Sequence, residues 1–271
     1  MQPLLISAAG VLGLLIGSFL NVVVWRVPRG ESLLPASRCP GCRSPIRPWQ
    51  NVPVVSWLAL RGRCARCRAR ISARYPLLEL GTGLVFALVT WWFVALWGAA
   101  TGTPAWWAAL AGYLWFAAAT LALAIIDLEH QRLPDAVVLP ALVVVAALLS
   151  ASAALNGDWA RLASTLGGSV ALFVFYLVVA LVYPRGIGGG DVKLAPVIGA
   201  ALGFCGWPAL VVGAFAGFLL GAVVGLALVA MRRATRKSGI PFGPFMLLGA
   251  WLGVLWGERI ADAYLGWFGL R

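Results

Sequence analysis

The chain has 271 residues, of which 62% are hydrophobic and 11% charged, with a formal net charge of +12. So few charges exclude an ordinary soluble domain, where roughly a quarter of residues are charged. The apolar stretches are continuous and do not alternate, which also excludes a transmembrane β-barrel.

What remains is an all-α polytopic membrane protein. A helix needs about 20 mainly apolar residues to cross hydrocarbon. Eight candidate segments follow in chain order: Leu4 to Trp25, Leu77 to Gly98, Pro104 to Ile126, Asp135 to Leu155, Leu162 to Tyr183, Leu194 to Phe204, Pro208 to Met231 and Pro241 to Gly257. The first reads as a retained helix and not a signal peptide, because no basic region precedes it while Arg26 and Arg29 follow it. The sixth is too short to span alone, so a tilted, half-buried or re-entrant helix that extends into its flanks is expected there. No repeat or low-complexity linker divides the chain. The expected organisation is a first transmembrane helix over 1–25, an insertion over 26–76 and a membrane core over 77–271.

Short loops rich in Lys and Arg stay in the cytoplasm. Residues 26–76 hold eleven arginines, and a second basic turn reads Arg232-Arg233-Ala234-Thr235-Arg236-Lys237. The loops at 99–103, 156–161 and 205–207 carry only Asp158 and Arg161. Eight crossings therefore put the basic loops, and the ends of helices beside them, on the cytoplasmic side, with both termini opposite. A basic surface beside a bilayer fits anionic lipid headgroups, and no nucleic-acid-binding module accompanies it.

The insertion contains Cys39-Pro-Gly-Cys42 and, after 21 intervening residues, Cys64-Ala-Arg-Cys67. Two such knuckles can bring four thiolates to the corners of a tetrahedron, which suits structural zinc with Cys39, Cys42, Cys64 and Cys67 as ligands. Disulfides are the competing reading, disfavoured in a reducing compartment. Unligated thiols or a redox pair stay open. Cys205 lies apart, in an apolar turn, and reads as a small buried residue.

Charges at the ends of spanning helices are rare enough to be informative. Asp127 closes the third helix, and Asp191 ends the run Gly186-Ile187-Gly188-Gly189-Gly190-Asp191 just before the sixth. Both fall at the cytoplasmic end of the membrane. The glycines are expected to turn the chain and leave an opening beside the carboxylate. Two carboxylates in proximity share one proton, so one member can serve as base and the other as acid in peptide hydrolysis. Taken singly, each reads as an interfacial aspartate that caps a helix or meets solvent. Glu129 reads as part of a solvated turn with His130 and Arg132, and Asp135 as a favourable charge in a first helical turn. Lys193 either biases Asp191 or snorkels. A lone histidine leaves a His-based zinc protease without ligands.

In order along the chain, Gly17-Ser18-Phe19-Leu20-Asn21-Val22 with Arg26 and Pro28, the paired Cys-x-x-Cys loop, Asn51 to Leu58, Leu60-Arg61-Gly62-Arg63-Cys64, Ile71 to Glu79, Ile126-Asp127-Leu128, the glycine run ending in Asp191 and Pro241-Phe242-Gly243-Pro244-Phe245 resemble the type IV prepilin leader peptidases, membrane aspartyl proteases of the GxGD type. The resemblance implies that Asp127 and Asp191 are the catalytic aspartates. It also implies that the enzyme, in the bacterial inner membrane with its active site facing the cytoplasm, removes a basic leader from prepilins or pseudopilins and then methylates the new N-terminus from S-adenosylmethionine. That second activity is implied to lie with the cysteine loop and neighbouring segments, where Glu79 is either a cation or amine contact or an interfacial carboxylate. No Gly-rich strand-to-helix turn marks a cofactor pocket. The Pro241 to Pro244 segment serves equally as part of the substrate opening or as a Pro-rich helix start. Two other classes remain: a proton-coupled transporter, which would place its carboxylates nearer the bilayer midplane, and a non-enzymatic scaffold, indifferent to loss of either aspartate.

Overall fold

The computed structural model describes residues 2–98, 101–183, 187–232 and 241–269. The basic turn beyond Arg232 and the opening Gly186 of the glycine run lie outside the described residues. Those described form nine α-helices: α1 (Gln2–Arg26), α2 (Val55–Ala59), α3 (Arg74–Trp97), α4 (Pro104–His130), α5 (Asp135–Leu155), α6 (Trp159–Val182), α7 (Gly189–Cys205), α8 (Trp207–Ala230) and α9 (Gly243–Trp267). The eight long ones correspond to the eight apolar stretches, and among the described residues there is no β-strand beyond two isolated bridges. Six helices are long and apolar enough to cross a membrane. Of the other two, α7 has 17 residues, and α9 carries Glu258, Arg259 and Asp262 in its C-terminal part. The outside of the bundle is apolar, with Val178, Leu219 and Leu226 among many exposed large side chains. That inversion of soluble-protein burial is what a lipid solvent calls for.

The chain forms two compact units, Met1–Thr101 and Gly102–Arg271. In the first, α1 packs along α3 through glycines. A Cβ on Gly13 would lie 2.7 Å from the Thr82 carbonyl oxygen, and one on Gly17 would lie 2.7 Å from Glu79 Cα. Such close backbone approach is how helices gain packing energy where hydrophobic exclusion from water is absent. Between these helices the insertion is mostly turns, with α2 as its one short α-helix.

The second unit is three helical hairpins, α4 with α5, α6 with α7 and α8 with α9, with α7 also packed against α5, α8 and α9. Every residue from Leu194 to Phe204 is buried. Apolar all round and enclosed by protein, α7 does not have to reach both lipid faces on its own, which explains its length of about 26 Å. Gly199 sits on the Gly168 carbonyl and Gly203 on that of Ser164, so α6 and α7 touch backbone to backbone. The same arrangement joins α8 and α9, where Gly249 meets Gly213 and Gly217.

Three helix ends differ from the sequence reading. Helix α4 continues past Ile126 to His130, so Glu129 and His130 are helical and not in a turn. It stops at Gln131, which takes a left-handed φ of 51° and donates its N–H to the Asp127 carbonyl, a common way to close a helix. Helix α7 starts at Gly189, which puts Asp191 inside its first turn and not ahead of it. Helix α9 continues beyond Gly257 because charged residues at an exposed helix end are good helix formers.

Candidate active site and cysteine centre

Asp127 and Asp191 are both buried, at 5% and 8% exposure, and close enough for the charge of one to act on the other. Asp127 lies in the last turn of α4, and its Oδ2 accepts the backbone N–H of Gly243 at 3.1 Å, from the first residue of α9. Asp191 lies in the first turn of α7, and its Oδ2 accepts the N–H of Gly188 at 3.1 Å. Each carboxylate therefore receives one N–H at a helix N-terminus, where the helix dipole favours negative charge. Among the described residues the second oxygen of each has no hydrogen-bond partner, and it is available to water or substrate.

Leu133 lies against glycines on both sides of the site. A Cβ on Gly190 would lie 3.0 Å from Leu133 Cβ, and one on Gly243 would lie 3.4 Å from Leu133 Cδ1 and 2.7 Å from Asp127 Oδ2. The described part of the glycine run is thus glycine for two different reasons. Gly190 is small to admit Leu133, whereas a Cβ on Gly189 would meet nothing within 4 Å among the described residues. Gly188, Gly189 and Gly190 have no positive φ, so conformational licence is not the reason.

Sequence reasoning missed the donor role of Gly243. The Pro241 to Pro244 segment is a helix start, with Pro244 in the first turn of α9, and that start presents an N–H to a carboxylate from a helix 116 residues away. The preceding residue, Phe242, is fixed by an aromatic cluster: its ring centroid lies 5.2 Å from that of Phe218, which stacks on Tyr176 at 5.5 Å and 17°. Tyr176 is within electrostatic reach of Asp191. Lys193 bonds both carboxylate oxygens of Asp135 at 2.8 Å, so its observed partner is Asp135, and the pair ties the start of α5 to that of α7.

In the first compact unit, Cys39, Cys42, Cys64 and Cys67 form one group with all four Sγ atoms within 4.8 Å of one another. The two knuckles are built alike. Cys39 donates its N–H to Ser44 and accepts that of Arg43 on its carbonyl, as Cys64 does with Ala69 and Arg68. Arg43 and Arg68 both take positive φ, and the bridges Arg38 to Pro45 and Arg63 to Arg70 close both turns. All the cysteines are free thiols. Cys39 and Cys67 lie 3.7 Å apart, Sγ to Sγ. That is far from a disulfide and near the edge, about 3.8 Å, of a tetrahedron with zinc–sulfur bonds of about 2.3 Å. The Ser44 hydroxyl, 2.9 Å from Cys42 Sγ, and the Ser44 backbone lower the Cys42 thiol to about 6, which favours a ligating thiolate there, whereas at Cys67 the lowering by the Ala69 backbone is outweighed by the Cys42 side chain and by burial, which push that thiol up to about 11. Cys205 stands apart in α7, 3.0 Å from the Tyr113 hydroxyl.

Fold and site together define a multi-pass helical membrane protein with two interacting buried carboxylates at helix ends and a four-cysteine centre able to hold a metal. The model of the bacterial peptidase A24 N-terminal domain matches residues 11–93, and that of the type IV leader peptidase family matches residues 114–228. A protein of Stutzerimonas stutzeri named prepilin leader peptidase/N-methyltransferase is 38% identical over 291 residues, covering 96% of this chain and 93% of that one. Proteins of the same name from Pseudomonas aeruginosa and Neisseria gonorrhoeae are 37% and 35% identical, covering 96% and 93% of this chain and 93% and 91% of their own. No solved structure matches. The chain belongs to the type IV leader peptidase family.

Proposed function

We propose that this protein removes the leader peptide of type IV prepilins or pseudopilins at the cytoplasmic boundary of the bacterial inner membrane, and that it N-methylates the new N-terminus. Near-full-length similarity to relatives named for both activities supports the pair of reactions. The observation that carries the peptidase mechanism is the arrangement of Asp127 and Asp191, buried, interacting and each held by one backbone N–H.

In this reading the ionised member of the pair takes a proton from water as the water attacks the scissile carbonyl. The protonated member donates to the tetrahedral oxygen and then to the leaving amine. The proton belongs to the pair and not to either residue, as in other carboxylate dyads. The N–H donors of Gly188 and Gly243 fix the carboxylates, so little reorganisation accompanies the reaction. A basic leader on the cytoplasmic side and an apolar helix in the bilayer would deliver the scissile bond to the membrane edge, and among the described residues Gly189 has no neighbour that would obstruct an extended backbone.

Cys39, Cys42, Cys64 and Cys67 would hold a structural zinc, which adds binding free energy to an insertion that has little apolar core. S-adenosylmethionine, when bound, supplies an electrophilic methyl group. Its fit to this chain rests on an acidic group in the first compact unit, Glu79. The test is mass analysis of a prepilin treated with detergent-solubilised protein, with and without S-adenosylmethionine. The expected product has lost its leader and gains one methyl group only when the donor is present; an intact prepilin in both samples would overturn the reading.

A further inference from the structure

Three acidic side chains are buried among the described residues: Asp127, Asp191 and Glu79. The first two belong to the site of cleavage. Glu79 belongs to the other compact unit, and nothing in peptide hydrolysis uses it. It is 7% exposed, and although eleven arginines occupy residues 26–76, it forms no ion pair among the described residues. Its hydrogen-bond partner is the backbone N–H of Val54, 2.7 Å from Oε2, which leaves Oε1 without one among the described residues. Oε1 is not among the fully enclosed polar atoms that lack a partner, so a carboxylate with no counter-ion keeps one oxygen within reach of a cation or a proton donor, the usual role of an acid in a membrane protein.

The surroundings are built to hold it. Val54, a β-branched residue, takes φ 61° and ψ −50°, a strained conformation that persists where neighbours enforce it. Gly17 brings α1 against the backbone of Glu79 itself, and Asn21, one turn on, donates to the carbonyls of Gly17 and Tyr75 at 3.2 and 3.1 Å. The same two elements form a surface depression lined by Leu15, Ser18, Phe19, Val22, Asn51 and Pro53. Ser18 follows Gly17 and Pro53 precedes Val54, so the residues that clamp Glu79 are chain neighbours of those that line the depression.

We propose that Glu79 accepts the proton of the substrate's α-ammonium group, beside this depression, so that the freed amine can take a methyl group. The inference rests on the methyltransferase reading. An α-ammonium, with a pKa of about 7.7–8.0, has no lone pair to offer while protonated. Transfer of one N–H proton to Glu79 Oε1 frees it. The nitrogen–carbon bond then forms as the carbon–sulfur bond of a sulfonium donor breaks, and that bond's electron pair stays on sulfur as a neutral thioether. The methylated nitrogen leaves as a cation, and Glu79 returns its proton to water.

The test uses the full chain in detergent, a peptide with a free α-amine and an apolar first residue, and S-adenosylmethionine. Glu79→Gln keeps an oxygen for the Val54 N–H and removes only the charge. At neutral pH its methyl transfer should fall about 10²-fold or more, recover as pH rises past the pKa of the amine, and leave calorimetric affinity for S-adenosylhomocysteine unchanged. Wild-type rates in Glu79→Gln overturn the proposal. So does a loss that pH does not relieve and that tracks weakened binding of S-adenosylhomocysteine, since Glu79 would then hold the donor. Should that variant not fold, the wild-type pH profile decides: a rate that stays high below the pKa of the amine supports the proposal, and one that follows the free-amine fraction overturns it. A wild-type protein that methylates nothing sinks the methyltransferase reading itself, an outcome distinct from the others.

Discussion

The cysteine centre and the aspartate pair are built in opposite ways. Each knuckle of the cysteine centre closes on itself, with hydrogen bonds between residues four or five apart in the chain, such as Arg43 to Cys39 and Cys39 to Ser44. The aspartate pair needs the end of α4, the start of α7 and the start of α9, with one key hydrogen bond joining residues 116 apart. A locally closed site needs its own turns and a metal, whereas a site of converging helix ends depends on the packing of the whole bundle. Damage to the first should therefore stay local, and small changes in helix packing should reach the second.

The largest effect is expected at the carboxylates. Asp127→Asn and Asp191→Asn should each reduce prepilin cleavage by about 10³-fold or more while thermal unfolding in detergent changes little. Next comes Gly243→Ala, whose new methyl would stand 2.7 Å from Asp127 Oδ2. Displacing that carboxylate by a fraction of an ångström should lower the cleavage turnover about 10- to 100-fold with a smaller change in KM. Removal of the metal with a chelator, or Cys39→Ser, should abolish stoichiometric zinc in elemental analysis and expose the insertion to protease, yet leave cleavage within about tenfold of wild type. Cleavage lost as completely as in the aspartate variants would break the contrast between the two sites. The smallest effect is expected for Lys193→Met. Its ion pair with Asp135 is half-exposed and worth about 1 kcal/mol or less, so the melting temperature should shift slightly and cleavage by less than about threefold.

The same contrast explains what the sequence could convey. Eight long helices were legible because lipid demands long continuous apolar runs, and each run is a local property. The cysteine knuckles were legible because their ligands and turns sit together in the chain. Asp127 and Asp191 stood out because carboxylates at the edges of apolar helices are rare. Their setting did not. Gly243 reads locally as a helix start, Leu133 as an ordinary loop residue and Gly190 as a flexible one, and only packing makes the first a donor and sets the second against the third. Lys193 reads locally as a bias on Asp191 or as a snorkelling lysine, and it is bound to Asp135, 58 residues away. Helix ends were misread where a charge suggested a boundary. Glu258 and Arg259 lie within α9 and Asp191 within α7, because charges at the exposed or capped end of a helix continue it as readily as they end it.

The central claim is that Asp127 and Asp191 act as one catalytic unit. Its most direct test is a double-mutant cycle on prepilin cleavage with Asp127→Asn, Asp191→Asn and the combined variant, at matched protein stability. Residues that share a proton in one reaction step predict that the double variant is no slower than the slower single one. Losses that multiply, or a single variant that still cleaves at the wild-type rate, would contradict the account.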